Sequence, residues 1–257
     1  MRHRIVPVKN VVRLSEASDA LIYRSMGMPG MGLIWGPTGY GKTTAATWLI
    51  NRVHGVYVRP MATSTPTSFL GSILRELDQE ARGNCAQMVE RIVEGLATSN
   101  RPLFVDEADY IAERARLTET LRDIHDLSTV PVVLIGMAGI QRKLGQRQQL
   151  SGRIAQWVEF GPADLEDARA LADGLCEIPV ADDLLERLHR AAGGEVRRIT
   201  VGLGRIEQHG RARSLDSMTL GDWTLGDEGF FLPRAEPRQR AGAGARRPGK
   251  IAAFGGR

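Results

Sequence analysis

Residues 31–44 read MGLIWGPTGYGKTT, and this stretch decides the fold. An apolar run (Met31, Leu33, Ile34, Trp35) has the character of a buried strand. It leads into Gly36-Pro37-Thr38-Gly39-Tyr40-Gly41-Lys42-Thr43, which fits G-x-x-x-x-G-K-[ST], and an alanine-rich helical run follows from Thr44 to Val53. The glycines let the backbone curl so that successive N–H groups converge on phosphate oxygens, and the next helix turns its positive end to the same anion. Lys42 can reach the β- and γ-phosphates, and the Thr43 hydroxyl can ligate Mg²⁺. A functionless glycine-rich turn is the plain alternative, but the strand–loop–helix order that the motif requires is complete here. The reading is a nucleotide site, with ATP held by Gly36, Pro37, Thr38, Gly39, Tyr40, Gly41, Lys42, Thr43 and Thr44.

A second signal lies downstream. Pro102-Leu103-Phe104-Val105-Asp106-Glu107 is an apolar strand ending in two carboxylates. A carboxylate at such a tip can hold the Mg²⁺ water shell, so Asp106 joins Thr43 as a metal-site residue. Glu107 can orient and deprotonate an attacking water. Alone, two acids at a strand end are as readily a solvated tip; with the phosphate loop upstream they read as a hydrolytic pair.

The rest of the chain fits a parallel sheet covered on both faces, because continuous apolar strands alternate with helices. Further strands are expected at 55–59, Pro131–Gly136 and Gln156–Phe160. Helices are expected over Ser15–Ser25, Phe69–Arg82 (capped by Thr67 or Ser68), 86–98, Arg114–Leu127 and 139–152, with a β-like run at Ile5–Leu14. From Pro162 the pattern becomes helical only: Asp164–Cys176, Ala181–Ala192, Glu195–Gln208 and a short helix near Thr219–Leu225. The expected division is an N-terminal extension (1–14), an α/β nucleotide domain (15–161), a small all-helical domain (162–231) and a disordered basic tail (232–257), too rich in Pro, Gly and Arg to build a core.

Val105-Asp106-Glu107-Ala108-Asp109 resembles the D-E-A-D-type acidic element of the AAA+ ATPases, and the α/β base with a helical lid is similar to theirs. The resemblance implies ring or filament assemblies in which one subunit's arginine completes its neighbour's site. Gln149-Leu150-Ser151-Gly152-Arg153-Ile154 looks like the Ser-x-Arg box that supplies this finger, which makes Arg153 the candidate, with Arg142 and Arg147 as rivals. Gly193-Gly194-Glu195-Val196-Arg197-Arg198 looks like the G-x-x-R box of the lid, which would bring Arg197 to the γ-phosphate. The plain alternative for each is a solvated arginine on a helix. One position departs from the family pattern: the tip Ile135-Gly136-Met137 has no polar residue to position water, which suits slow turnover. Within the family, residues 15–225 look most like the phage Mu B-type and insertion-sequence transposition ATPases, on the loop, the acidic element and the Gln/Arg-rich stretch at 141–153. That resemblance implies a homo-oligomer, ring or helical filament, that binds double-stranded DNA without sequence preference and delivers it to a transposase, with ATP hydrolysis stimulated by DNA or partner. Mu B itself adds an N-terminal DNA-binding domain, for which the roughly 30 residues here are too few. DNA contact would then fall to core loops, with Arg59, Arg82, Arg101, Arg114 and Arg116 facing a central channel, and to the tail. The alternatives are a replication initiator or helicase loader acting on a protein partner, and a small-molecule kinase or signalling NTPase; kinases of that kind usually lack both arginine boxes.

Composition sets bounds. The chain has 257 residues, 42% hydrophobic and 25% charged, as in a globular protein. No apolar run approaches the roughly 20 residues of a bilayer span, and MRHRIVPVKN lacks the apolar core of a signal peptide, so no membrane contact and a cytoplasmic setting are expected. Cys85 and Cys176 lack metal-ligand spacing and fit a reducing compartment. The net charge of +4 is misleading: seven basic residues against Glu236 give the stretch from Arg234 onward +6, leaving −2 for everything before it. Any contact of the folded body with nucleic acid must come from a local patch.

Overall fold

In a computed structural model describing residues 1–231, five strands form one parallel sheet in the order β2-β3-β4-β1-β5. After helix α1 (Lys9–Ile22), the chain runs through β1 (Met31–Gly36), α2 (Lys42–Val53), β2 (Val56–Val58), α3 (Pro66–Glu76), α4 (Cys85–Ser99) and β3 (Leu103–Val105). Two helices, α5 (Asp109–Ala112) and α6 (Ala115–Ser128), lead to β4 (Val132–Met137); α7 (Ile140–Gly145) and α8 (Gln148–Ser151) lead to β5 (Ile154–Glu159). β1 lies between β4 and the edge strand β5, with Leu33 opposite Leu134 of β4 and Trp157 of β5.

Because side chains alternate across a strand, neighbours on β1 serve different cores. Leu33 joins Leu103, Val105, Val132 and Leu134 under α3–α8. Ile34 joins Phe104, Val133, Ile135 and Val158 under α1 and α2. The second core continues without a break into a helical region, α9 (Leu165–Leu175), α10 (Asp182–Ala192) and α11 (Val196–Ala212), whose Leu171, Leu188, Ile199 and Leu203 are buried in it. Val6, Val8 and Phe160 belong to the same core. The segment ahead of α1 therefore packs onto the helical region: Arg2 N–H donates to Leu175 O (2.7 Å), and the Arg4 guanidinium to Gly174 O (2.8 Å). Among the described residues no helix is long and apolar enough to cross a membrane.

Several expected boundaries move, each for a local reason. The β-like run at Ile5–Leu14 is mostly helix: α1 begins at Lys9, just beyond Pro7, and Ser15 lies inside it, its Oγ accepting from Arg52 (2.6 Å). Helix α3 starts earlier and stops earlier than 69–82. Thr65 caps it, Pro66 occupies the first turn where no N–H is needed, and Asp78 just beyond its end has φ +57°. The stretch 139–152 splits into α7 and α8, with Arg147 between them in a non-helical conformation. α11 extends to Ala212, beyond Gln208. The short helix near 219–225 is one 3-10 turn at Leu220–Asp222, and Val180 and Met218 form an isolated bridge. The tail expected from 232 to 257 lies outside the described residues.

Candidate nucleotide site

All five strands point their carboxyl ends the same way, so the glycine loop after β1 and the acids after β3 meet at one edge. Gly36 has φ +153°, and a Cβ there would stand 2.4 Å from Phe160 O, so only glycine fits where the loop leaves the sheet. Lys42 opens α2, and its ammonium donates back to Gly36 O (2.7 Å) and Pro37 O (2.8 Å). Burial lowers its pKa, opposed by the charges of Asp106, Glu107 and Asp109.

Asp106 is 3% exposed and fully engaged. Its Oδ2 accepts from Thr43 Oγ1 (3.2 Å) and Tyr57 OH (3.0 Å), and its Oδ1 from the Glu107 N–H (2.9 Å). Burial, then the Asp106 charge, push the Tyr57 hydroxyl up to about 12, so it stays a donor to the carboxylate. Glu107 has φ +51°, a left-handed conformation that costs a non-glycine residue about 1–3 kcal/mol. That twist turns its carboxylate to Arg59, which donates to Oε1 at 2.9 Å. Asp109 does something else: its Oδ2 accepts the Met137 N–H (2.8 Å), pinning the tip of β4. The side chain at that tip is Met137, 45% exposed, and it offers no hydrogen bond to a water.

The helical region closes the site from above. Arg197 N–H donates to Gly39 O (2.9 Å), and the Glu195 carboxylate lies against Gly39, so close that a Cβ there would clash at 2.2 Å. The Arg197 side chain is exposed on the wall of a cavity of about 750 Å³, well within the usual range for small-molecule sites. Thr38 to Thr44, Asp106 and Glu107 form its polar lining; Val6, Val8, Val11, Phe160, Leu171 and Leu175 form its apolar lining. Gly36 and Pro37 do not line it and act through the carbonyls that take Lys42. The arrangement suits a ligand with a polyphosphate and a flat apolar group. Thr43 Oγ1 and Asp106 Oδ2, 3.2 Å apart, fit a small divalent cation that takes its other ligands from phosphate and water.

Other candidates fall elsewhere. Arg153 precedes β5, and its carbonyl accepts from Met31, so it lies at the opposite edge of the sheet from the loop; its guanidinium forks onto Asp126 (3.2 and 3.0 Å). Of its rivals, Arg147 donates to Ala112 O (3.0 Å), while Arg142 is exposed with no side-chain bond among the described residues. The five arginines expected along one channel do not share a face. Arg59 is tied to Glu107 and Arg82 to Glu80. Arg101 lies at the opposite edge, bonding the carbonyls of His54 and Glu76. Arg114 braces the 62–64 loop through the carbonyls of Ala62 and Ser64, and Arg116 is exposed at the start of α6. Sequence reasoning misses Tyr57 and the segment ahead of α1. Nothing local marks either, because their partners lie 49 and more than 150 residues away.

Residues 26–144 match the family model described as AAA domain. No curated protein matches the chain. Similar solved structures include the Aeropyrum pernix ORC2 protein in ADPNP–ADP complexes (TM-score 0.63, 18% identity, 86% of this chain and 68% of that one). The Aeropyrum pernix ORC1 protein in complex with DNA gives TM-score 0.58 at 18% identity, over 83% of this chain and 62% of that one. The Thermotoga maritima RuvB Holliday junction branch migration motor gives TM-score 0.57 at 18% identity, over 87% and 72%. The chain thus spans about two thirds of the length of these structures. The match runs from ahead of β1 into α7, and the likeness to these structures lies in the fold, a parallel five-stranded α/β P-loop sheet with surrounding helices.

Proposed function

We propose that the protein is an ATP-dependent DNA-binding switch of the AAA+ type, which assembles with copies of itself on duplex DNA and presents that DNA to a transposase. The observation that carries the ATPase part is the convergence of Lys42, Thr43, Asp106 and Glu107 on one polar wall of the cavity. Lys42 exchanges the Gly36 and Pro37 carbonyls for the β- and γ-phosphates. Thr43 and Asp106 hold Mg²⁺, which neutralises charge on the phosphate oxygens when bound. Glu107, released from Arg59, accepts the proton of the attacking water. Arg197 approaches the γ-phosphate from residues 162–231, which serve as the lid. Arg153 lies at the far edge of the sheet, tied to Asp126, and in this reading it leaves that partner to serve a neighbouring copy rather than its own site.

The transposase as recipient rests on the motif resemblance. A replication-initiator role is the second reading, favoured by the fold likeness to the two ORC proteins, one in complex with DNA. DNA binding measured with ATP, ADP and no nucleotide, with imaging of the same samples, tests the proposal. ATP-dependent, salt-sensitive binding with rings or filaments along duplex DNA supports it. Nucleotide binding without any DNA binding overturns it in favour of a protein-directed switch. Capture of a helicase in place of a transposase favours the initiator reading.

A further inference from the structure

Helices α5 to α8 gather basic residues that include two of the five channel candidates, Arg114 and Arg116, and add Arg142, Lys143 and Arg147. Lys143 of α7 pairs with Glu113 (2.6 Å), and Arg147, ahead of α8, donates to Ala112 O (3.0 Å). These two bonds lay α7 and α8 against residues 112–113, beside Arg114 and Arg116 at the start of α6. Arg142 points away from Ile140 and Leu144, the two buried side chains of its own helix, and is exposed. Arg114, Arg116, Arg142, Lys143 and Arg147 thus lie on the elements gathered round residues 112–113, with Arg116, Arg142 and Lys143 exposed and the Arg114 guanidinium turned to the carbonyls of Ala62 and Ser64. The acids among them are few: Glu113 is paired with Lys143, Asp109 is taken by the Met137 N–H, and Glu119 lies three residues beyond Arg116.

The chemistry of this face points to a polyanion. On 141–149 the exposed or half-exposed side chains are Gln141, Arg142, Lys143, Gln146, Arg147 and Gln148–Gln149, while Ile140, Leu144 and Leu150 are buried beneath them. A protein interface is built round aromatic or aliphatic anchors in desolvated pockets; 141–149 presents none, and the exposed large apolar side chains of α5–α8 are Tyr110, on α5, and Leu127, at the far end of α6. Arginine, lysine and glutamine donors without apolar anchors are what phosphate-backbone contact requires, and such contact is blind to base sequence. The chain ahead of Arg234 carries −2 overall, so the charge on this face is a local excess.

We propose that the α5–α8 face, through Arg114, Arg116, Arg142, Lys143 and Arg147, is the surface on which the phosphate backbone of duplex DNA docks. The proposal rests on the DNA-binding reading above and gives it a location. None of the five residues lines the nucleotide cavity.

The test compares the full chain with an Arg116→Ala/Arg142→Ala/Lys143→Ala variant and with a charge-matched control, Arg13→Ala/Arg190→Ala/Arg205→Ala. Fluorescence anisotropy is read on two duplexes of unrelated sequence, with Mg²⁺ and saturating ATP, across a salt series. Unchanged affinity for a fluorescent ATP analogue checks that each variant is folded. The face variant is expected to bind both duplexes on the order of tenfold more weakly, and its slope of log K against log salt to fall by roughly 0.9 for each phosphate it no longer neutralises. The control is expected to stay near wild type. A face variant that keeps the wild-type affinity and slope, or a control that weakens as much, overturns the location. A wild type that binds neither duplex overturns the DNA reading itself.

Discussion

In the proposed reaction Glu107 is the residue on which turnover hinges, and its backbone and its partner point the same way. A left-handed glutamate directly after a buried strand holds its carboxylate on Arg59, so the group best placed to activate water is occupied. The pair is half exposed, with side-chain exposures of 55% and 30%, and an ion pair of that kind is worth about 0.2–1 kcal/mol. Arg59→Ala should therefore raise the basal rate of ATP hydrolysis only modestly, roughly two- to fivefold if base availability is limiting. Glu107→Gln should lower it by about 10²–10⁴-fold, the usual size of a general-base contribution, while nucleotide affinity stays within about twofold of wild type. Phosphate release together with binding of a fluorescent ATP analogue reads both. A rate that falls in Arg59→Ala would show that the arginine assists Glu107 instead of restraining it.

Among the elements, those coded by continuous apolar runs are legible in the sequence, and those coded by distant partners are not. The strands carrying the site, β1, β3 and β4, are buried on both faces and read directly from MGLIW, LFV and VVLIG. β5 is an edge strand whose burial alternates, and it starts at Ile154, two residues ahead of the expected Gln156. α1 is misread as partly β-like because its apolar side is set by β5 and the helical region, which local periodicity does not reveal. The phosphate loop and the Asp106–Glu107 pair are visible as local motifs; Tyr57, a hydroxyl inside VYV, has no such signature. The α6–β4 turn hides a similar case. His125 is buried, its Nδ1 bonds Val130 O (2.8 Å), and its Nε2 accepts the Gly30 N–H (3.3 Å), an arrangement only the neutral ring can make. Burial lowers its pKa, with Arg24 and Arg153 acting in the same direction and the Val130 bond and Asp126 opposing. A depressed histidine pKa means the unfolded chain binds the proton more readily. Stability is then fully present above the unfolded value of about 6.5 and declines as pH falls through it toward the folded value. Urea unfolding midpoints between about pH 5 and 7.5 should show this decline in the wild type, and His125→Gln should flatten it. An unchanged pH dependence in that variant would assign the effect to other groups.

For the molecule as a whole, the decisive feature is that the second core does not stop at the sheet. Ile34 and Ile135, Val6 and Val8, and Leu188, Ile199 and Leu203 belong to one buried apolar cluster, so the α/β layer and the helical region share their stabilising burial. Polar links reinforce the junction: Lys9 N–H donates to Asp167 Oδ1 (2.9 Å), Arg2 N–H to Leu175 O (2.7 Å), and Arg197 N–H to Gly39 O (2.9 Å). The last of these ends on the phosphate loop itself, so a ligand in the cavity touches both parts at once. Two parts that share a core and a ligand should unfold together. Calorimetry is expected to show a single transition in the absence of nucleotide, not separate melting of residues 162–231. Saturation at about 100 times Kd adds about 2.7 kcal/mol, and in a chain of this size each kcal/mol moves Tm by about 2–4 °C. ATP with Mg²⁺ should therefore shift the whole transition upward by several degrees, and Lys42→Ala should abolish the shift while keeping the single transition. Two resolved transitions, only one of them moved by ATP, would mean that the shared cluster is too weak to couple the parts and that the helical region moves as an independent body on the sheet.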